Sequence, residues 1–499
     1  MSVSALTVRW LASTGVVERQ EATASEQHEG ELGHEENTQE QEEKEYSTSH
    51  EENDDRAANS RHEDDEGLHH DQVATPTSDS TEESDSGSDT STSTSSLSTS
   101  AQSPPSTSCI QEAQLSPDGT CIFTSDYARA FSVYPLSTDI LSAPTTQPLT
   151  PYARFQSADP IWAFACNPLF NLQDPSSTHV LISRRDRYIT LHNALWDVSA
   201  PPSPTPAAPP SSPVNIHTPL TSYKLTNPLT EAVTAPLSLA YSPSGTHFHA
   251  GATNALFTFD LSHPEAPVTR IPTIPSARTK LKGGGRGFKG AIAALAAAPQ
   301  LSASHGLVAA GARTRHVGLY DARGAEVTHV ALGGVRGETR SGAGVTGLRW
   351  SACGRYLYVG ERDADVLLIY DARSFAFALG CCGGRAARGR QRLGFDVWSG
   401  NGGESHEVWA GGVDGKIRVW RDPQLREGVV EADEVVGVGG GQGMPVVSAL
   451  VHPSGTLAVA ARGTIQLGDD TGGGVRRGGG RRPRFSERGC LDILGLSGY

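Results

Sequence analysis

The sequence lacks the features that would place it in a membrane or hold it together with disulfides. A membrane-spanning helix needs about 18 or more consecutive apolar residues, and no such run occurs. The cysteines number seven, with no regular spacing, which argues against a disulfide framework. No Asn-x-Ser/Thr sequon appears, and the first 20 residues lack the charged start of a signal peptide. We therefore expect a reducing compartment, the nucleus or the cytosol.

Catalytic motifs are also missing. The sequence contains no H-E-x-x-H, no G-x-S-x-G and no complete P-loop, because Ile417 follows Gly415-Lys416 where Ser or Thr is required. Residues 285–290 fit G-x-G-x-x-G, but they follow a loop and precede a predicted strand, whereas a dinucleotide site needs a strand and then a helix. We predict that the protein is not an enzyme and has no cofactor, no metal site and no small-molecule substrate.

Charge divides the chain into two parts. Residues 1–108 contain 25 acidic and five basic side chains, a net charge of −20, while the whole chain carries −15. The remaining residues are therefore mildly basic, at about +5. Residues 1–108 are rich in Glu, Asp, Ser and Thr and offer too little apolar surface to offset the entropy of ordering. The sequence predicts a disordered acidic arm over 1–108.

A recurring unit organises the rest of the chain. Residues 344–373 contain three short apolar bursts separated by turn residues, a pattern typical of antiparallel strands joined by hairpins. Tyr320, Tyr370 and Trp420 close successive units at a spacing of 50 residues. A fixed period near 40–50 residues with strands and no helices is typical of a WD40 β-propeller.

Six clear units and a degraded seventh predict an all-β, seven-bladed propeller over residues 109–470. Residues 200–213 form a Pro-rich insertion, which we expect to be a surface loop because proline donates no ladder hydrogen bond. The Ala-rich stretch AIAALAAA has helical propensity, yet it occupies a first-strand position of the repeat and is predicted to be a strand. Residues 471–499 are either a Gly/Arg-rich tail or a degraded closing strand. Ring closure requires the two ends of the chain to share a blade, and we expect a monomer.

Basic side chains in loops are the candidate binding residues. Arginine pairs with phosphates in a bidentate manner and stacks on bases, so these loops can contact RNA. The alternative is an Arg–Asp pair that braces a turn, or a solvated loop. The candidates in the turns between second and third strands are Arg184, Asp186, Arg362 and Asp363. Those outside these turns are Arg392, before the sixth unit, and Arg476, Arg477, Arg481 and Arg482 near the C-terminus.

Several stretches resemble the telomerase Cajal body WD40 proteins, a family that includes fungal spliceosome-linked relatives. The resemblance covers about Gln111 to Gly463, and its most distinctive segment is residues 222–251. Residues 389–400, GRQRLGFDVWSG, resemble the family signature N-Q-R-x-x-F-D through Gln391, Arg392, Phe395 and Asp396. The second unit departs from the pattern, since His192-Asn193 replaces Trp-Asp.

The resemblance implies a non-catalytic nuclear scaffold that binds small non-coding RNA and ribonucleoprotein (RNP) particles. Their RNA would be small Cajal-body, spliceosomal or telomerase RNA, and the scaffold would help to place it in the nucleus. Gln391 then joins Arg392 among the candidate binding residues, and RNP proteins join RNA as expected partners. The alternative function is a protein–protein adaptor whose basic loops are incidental.

Overall fold

Antiparallel strand pairs recur along the whole described chain. A computed structural model describes residues 6–15, 107–200, 212–227, 230–274, 287–300, 304, 306–333, 342–400, 404–439, 443–467 and 485–497. All of them belong to one of the two compact units into which the chain divides; the other unit, Glu26–Ser103, lies outside the described residues.

Strands account for nearly all regular structure in the described ranges. The first third contains β1 (Thr7–Ser13), β2 (Ile110–Leu115), β3 (Cys121–Asp126), β4 (Ala130–Pro135), β5 (Gln147–Pro148), β6 (Ala153–Gln156), β7 (Ile161–Cys166), β8 (His179–Arg184), β9 (Ile189–Asn193), β10 (Val214–Asn215) and β11 (Thr221–Tyr223). The middle contains β12 (Ser238–Tyr241), β13 (His247–Ala252), β14 (Ala255–Asp260), β15 (Thr269–Pro272), β16 (Ile292–Ala297), β17 (Val308–Ala312), β18 (His316–Tyr320), β19 (Glu326–Ala331), β20 (Val345–Trp350), β21 (Tyr356–Glu361), β22 (Leu367–Asp371) and β23 (Gly380–Cys382). The last part contains β24 (Phe395–Trp398), β25 (Glu407–Gly411), β26 (Lys416–Arg421), β27 (Gly428–Val430), β28 (Glu434–Gly437), β29 (Val446–Val451), β30 (Leu457–Leu467) and β31 (Phe485–Ser497). Short 3-10 turns occur at Ile140–Ser142, Pro175–Ser177 and Pro423–Leu425.

These strands form seven sheets within the described residues, each a four-stranded blade with or without an added edge strand. From first to fourth strand, blades 1 to 3 are β2-β3-β4-β6, β7-β8-β9-β11 and β12-β13-β14-β15. Blades 4 to 7 are β16-β17-β18-β19, β20-β21-β22-β23, β24-β25-β26-β28 and β29-β30-β31-β1. First strands contact one another from blade 2 round to blade 7, and β29 contacts β2. Gln114 of β2 forms hydrogen bonds with Phe164 and Cys166 of β7, so the ring closes. The predicted seven-bladed β-propeller is confirmed, as is the Ala-rich strand β16.

The hairpin between first and second strands has the same form in several blades. In blade 1, the Gly119 N–H donates to the Ser116 carbonyl at 2.9 Å, and the Ser116 hydroxyl accepts from the Cys121 N–H at 2.9 Å. Gly119 has a φ of 74°, which a residue with a Cβ adopts only with strain. Blades 3, 5 and 7 repeat the positive φ with Gly245, Gly354 and Gly455. The Ser-Pro-Asp-Gly and related sequences therefore fix the repeat locally.

Ring closure uses both ends of the described chain, which corrects two boundaries of the sequence analysis. β1 lies within the predicted arm and pairs antiparallel with β31 from Thr7↔Ser497 to Ser13↔Asp492. β31 in turn pairs with β30, so residues 471–499 contain a full closing strand. Leu11, Leu491 and Ile493 are buried together between blades 7 and 1. Residues 1–5 and 16–106 of the arm and residues 201–211 of the Pro-rich insertion lie outside the described residues.

Apolar clusters fill the spaces between blades, as expected for packed sheets. One cluster joins blades 4 and 5 through side chains such as Leu319 and Leu357, and another joins blades 2 and 3. In blade 2, His192 takes the place of the usual tryptophan and is fully buried. Its Nδ1 lies 2.9 Å from the Ile216 carbonyl and its Nε2 lies 2.9 Å from the Thr190 hydroxyl. Burial lowers the pKa of His192 to about 4, so the ring is neutral at neutral pH.

Candidate functional site

A β-bulge in the first strand of several blades turns one extra residue out of the ladder. The pairing skips one residue in blades 1, 2, 4, 5 and 7: Gln111, Trp162, Ala293, Thr346 and Val447 respectively. A bulged residue has no ladder partner, so the bulge re-aims its side chain. The first four of these residues line one cavity of about 1,200 Å³ at the mouth of the central channel, whereas Val447 is buried and does not line it. We call this cavity the channel mouth.

The residue that follows the second strand also occupies a fixed place in the repeat. The backbone N–H groups of Tyr127, Arg185, Arg313 and Arg362, in blades 1, 2, 4 and 5, each donate to a carbonyl just before the first strand of the same blade, at 2.9–3.0 Å. The side chains of Tyr127, Arg313 and Arg362 line the channel mouth. Arg185 does not line it, but forms an exposed ion pair with Asp186 at 3.3 Å.

The cavity extends outward from the channel over blade 3. Its outer end is lined by Lys224, Glu265 and Arg270, the last on the fourth strand of that blade. The Arg270 guanidinium lies 5.9 Å from the centre of the Phe257 ring. The lining thus runs from bulged residues at the centre of the ring to its periphery.

Charges at the channel mouth do not balance. Its lining includes five cationic side chains, Lys224, Arg270, Arg313, Arg362 and Arg392, and three carboxylates, Glu112, Asp186 and Glu265. Each carboxylate already has an ion-pair partner: Glu112 pairs with Arg392 at 3.1 Å, Asp186 with Arg185, and Glu265 with Lys224 at 2.6 Å. Arg270, Arg313 and Arg362 have no carboxylate partner among the described residues. The mouth therefore carries uncompensated positive charge.

Burial and neighbouring charges shift the pKa values of two side chains at the channel mouth, Arg362 and Tyr127. Burial lowers the pKa of the Arg362 guanidinium, and the positive charges of Arg313 and Arg392 lower it further. Burial raises the pKa of Tyr127, while the positive charge of Arg362 acts in the opposite direction. Arginine nevertheless stays charged at neutral pH. A bound anion would relieve the mutual repulsion of these cations, so the arrangement is suited to phosphate or carboxylate groups.

Two of the predicted binding residues mainly connect blades. The Gln391 side-chain amide donates to the Gly463 carbonyl of blade 7 at 2.9 Å. Arg392 Nε donates to the Thr346 carbonyl of blade 5 at 3.1 Å, and its Nη1 donates to Glu112 of blade 1 at 3.1 Å. Both side chains also line the channel mouth, but these bonds hold them in place.

The remaining predicted residues lie in turns, at the channel mouth or, for Arg184, at the end of strand β8 and not in the predicted turn. Asp363 accepts from the Gly389 N–H at 2.9 Å, and Asp186 has a φ of 54° in its turn. The Arg184 guanidinium lies 5.3 Å from the centre of the Phe155 ring, and its buried Nε has no hydrogen-bond partner. Of the six described candidates, only Arg362 is a cation that lines the channel mouth and has no carboxylate partner among the described residues. Arg476, Arg477, Arg481 and Arg482 lie outside the described residues.

Sequence reasoning missed Arg313, Arg270, Trp162 and Tyr127. A signal for two of them was present, because Tyr127 and Arg313 occupy the same repeat position as Arg362 once the hairpins are aligned. The bulge that turns Trp162 towards the channel has no such signal in the residues themselves.

Metal-ligating clusters, long apolar helices and reactive thiols are the other features to consider in the described part of the chain. That part contains no group of three metal-ligating side chains and no helix long and apolar enough to cross a membrane. Burial raises the pKa of Cys109 to about 12 and that of Cys121 to about 11, so neither thiol is a ready nucleophile.

Comparison with known proteins finds weak homology. The chain is 25% identical over 325 residues to the guanine nucleotide-binding protein negative regulator 1 of Schizosaccharomyces pombe, covering 63% of this chain and 71% of that protein. It is 24% identical over 315 residues to telomerase Cajal body protein 1 of Mesocricetus auratus and 24% identical over 314 residues to that of Mus musculus. These alignments cover 62% of this chain but only 50% and 51% of the two telomerase Cajal body proteins. No protein-family model matches the chain.

Proposed function

We propose that this protein is a non-catalytic nuclear WD40 scaffold that binds small non-coding RNA, as RNA or RNP, and aids its localisation or assembly. The observation that carries the proposal is the uncompensated charge of Arg270, Arg313 and Arg362 at the channel mouth. Cations without a carboxylate partner attract phosphate, and their attraction is salt-dependent. The name of the two mammalian relatives, telomerase Cajal body protein 1, supports nuclear RNP as the partner. Small Cajal-body, spliceosomal and telomerase RNA are the candidate RNAs.

A protein–protein adaptor is the second candidate, and a different surface favours it. Phe377 is 83% exposed and Leu425 is 72% exposed. Both lie beside the fourth strand of blade 5, since Phe377 closely precedes β23 and the 3-10 turn containing Leu425 contacts β23. Exposed large apolar side chains are frequent at protein interfaces. The name of the fission-yeast relative, a negative regulator of a guanine nucleotide-binding protein, fits such a role for that protein.

Crosslinking and immunoprecipitation of the tagged full chain tests the proposal. We expect enrichment of small nuclear RNA with the wild type and its loss in the Arg313→Glu/Arg362→Glu double variant. Arg323→Glu is the control, because Arg323 is an exposed arginine of blade 4, the blade of Arg313, and lies outside the cavity lining. Recovery of protein partners without RNA would reject the RNA scaffold in favour of the adaptor.

A further inference from the structure

Aromatic and cationic side chains reach the channel mouth from different blades. Tyr127 and Trp162 come from blades 1 and 2, whereas Arg313 and Arg362 come from blades 4 and 5. Tyr127 is 40% exposed, and Trp162 is half-buried and belongs to none of the apolar clusters of the described residues. Trp162 therefore presents aromatic surface to the cavity and contributes little to the core.

A hydrogen-bonding side chain also lines the channel mouth. The Gln111 amide, turned out by the blade 1 bulge, makes no hydrogen bond to any described residue. An amide offers both donors and an acceptor, as the edge of a nucleobase requires. Arginines for phosphate, aromatic rings for stacking and an amide for a base edge are the three kinds of contact that single-stranded RNA uses.

The size and shape of the cavity favour a segment of polymer over a small molecule. Its volume of about 1,200 Å³ exceeds the range of about 300–1,000 Å³ usual for small-ligand sites. It also extends from the channel to Arg270 on the outer strand of blade 3. A double helix keeps its bases paired and stacked on each other, so it cannot stack a base on Trp162.

We propose that the channel mouth holds a segment of single-stranded RNA, with phosphates against Arg313 and Arg362, a base stacked on Trp162, and the strand leading outward past Arg270. This inference rests on the proposed function and assigns it a place and a form of RNA. Tyr127 provides a second stacking surface, and Gln111 contacts a base edge.

Fluorescence anisotropy with the purified full chain and a labelled single-stranded RNA octamer tests the inference, with a hairpin duplex as the competing probe. Trp162→Ala should weaken octamer binding roughly 5- to 100-fold, the effect of losing one stacked base, without changing the salt dependence. Trp162→Phe should restore most of the binding. Trp196→Ala is the matched control, because Trp196 is also in blade 2 and is 40% exposed but does not line the cavity.

Salt dependence separates phosphate contacts from stacking. For single strands, log affinity against log salt falls with a slope of about −0.7 per phosphate contact. Arg362→Gln should therefore weaken binding and flatten the slope by about 0.7, while Arg323→Gln, at an exposed arginine outside the cavity lining, should leave the affinity and the slope unchanged.

The outcomes distinguish this inference from the proposed function. If cellular RNA is captured but octamer binding is equal in wild type, Trp162→Ala and Arg362→Gln, the inference is wrong and the RNA scaffold stands. Preference for the hairpin duplex would also overturn it. If neither cellular RNA nor the octamer binds, the further inference and the proposed function are both wrong. The same holds if an acidic peptide binds at the channel mouth and RNA does not.

Discussion

Arginine side chains have two different roles in this ring, a structural one in blade 7 and a candidate binding one in blade 5. In blade 7, Arg462 lies within β30, where the pairing with the first strand ends, and it pairs with Asp492 at 2.6 Å, with side-chain exposures of 7% and 0%. In blade 5, the equivalent strand position is Glu361, which pairs with Arg315 at 2.6 Å, and the next residue, Arg362, has no such partner. Successive side chains of a strand point to opposite sides, so one position braces the blade and its neighbour reaches the channel. A shift of one residue therefore separates structural arginine from candidate binding arginine.

The largest loss of stability is expected at the Arg462–Asp492 ion pair, which helps to close the ring. Asp492 accepts hydrogen bonds from Arg462 Nε at 2.7 Å and from the Ser13 hydroxyl at 2.6 Å, and so joins β30, β31 and β1. Arg462→Met would leave a buried carboxylate without its cation, which should cost about 3–5 kcal/mol of unfolding free energy. Urea denaturation measures this loss.

The double variant Arg462→Met/Asp492→Leu is the control for that prediction. Replacing both members of a buried ion pair with apolar residues is often close to neutral, so most of the stability should return. An unchanged urea midpoint in Arg462→Met would show that the ion pair does not close the ring.

An intermediate effect is expected for Arg392, which lies at the channel mouth yet is paired. Arg392→Ala removes the ion pair with Glu112 and the bond to the Thr346 carbonyl. A hydrogen bond to a charged group contributes about 1.5–3 kcal/mol when buried, and an exposed ion pair about 0–1. Since this pair is partly exposed, we expect a loss of about 1–2 kcal/mol, measured by urea denaturation.

Arg373→Ala provides the comparison for Arg392. Arg373 pairs with Asp371 at 2.6 Å but its side chain is 62% exposed, so its loss should change stability by less than about 1 kcal/mol. A double-mutant cycle between Arg392 and Glu112 should give a coupling energy that neither residue shows with Arg373. Equal losses in Arg392→Ala and Arg373→Ala would mean that Arg392 is no brace.

Local signals in the sequence were enough to predict the repeat. Turn residues such as Ser116 and Gly119, and the spacing of Tyr320, Tyr370 and Trp420, depend on neighbours within one blade. Closure depends instead on two strands at opposite ends of the chain. β1 has only seven residues and precedes a long acidic segment, so its pairing with β31 had no local signal.

The candidate site was harder to predict for the same reason. Whether an arginine is paired depends on a carboxylate that another blade supplies, as Glu112 does for Arg392. Composition marks both Arg362 and Arg392 as candidates, and only the fold separates them. Arg313 could have been found by aligning the hairpins, whereas Trp162 required the bulge to be seen.

The smallest effect on stability is expected at the arginines without a carboxylate partner among the described residues. It gives the most direct test of the difference between Arg362 and the ion-paired Arg462. Arg362→Gln removes a cation that has no carboxylate partner among the described residues and that lies near Arg313 and Arg392. Removing like-charge repulsion should leave the urea midpoint unchanged or raise it slightly, by no more than about 0.5 kcal/mol. Any gain should shrink at 1 M salt, where charges are screened within about 3 Å. A loss of more than about 1 kcal/mol would make Arg362 a brace like Arg462, and the channel mouth would then lose its best candidate for phosphate contact.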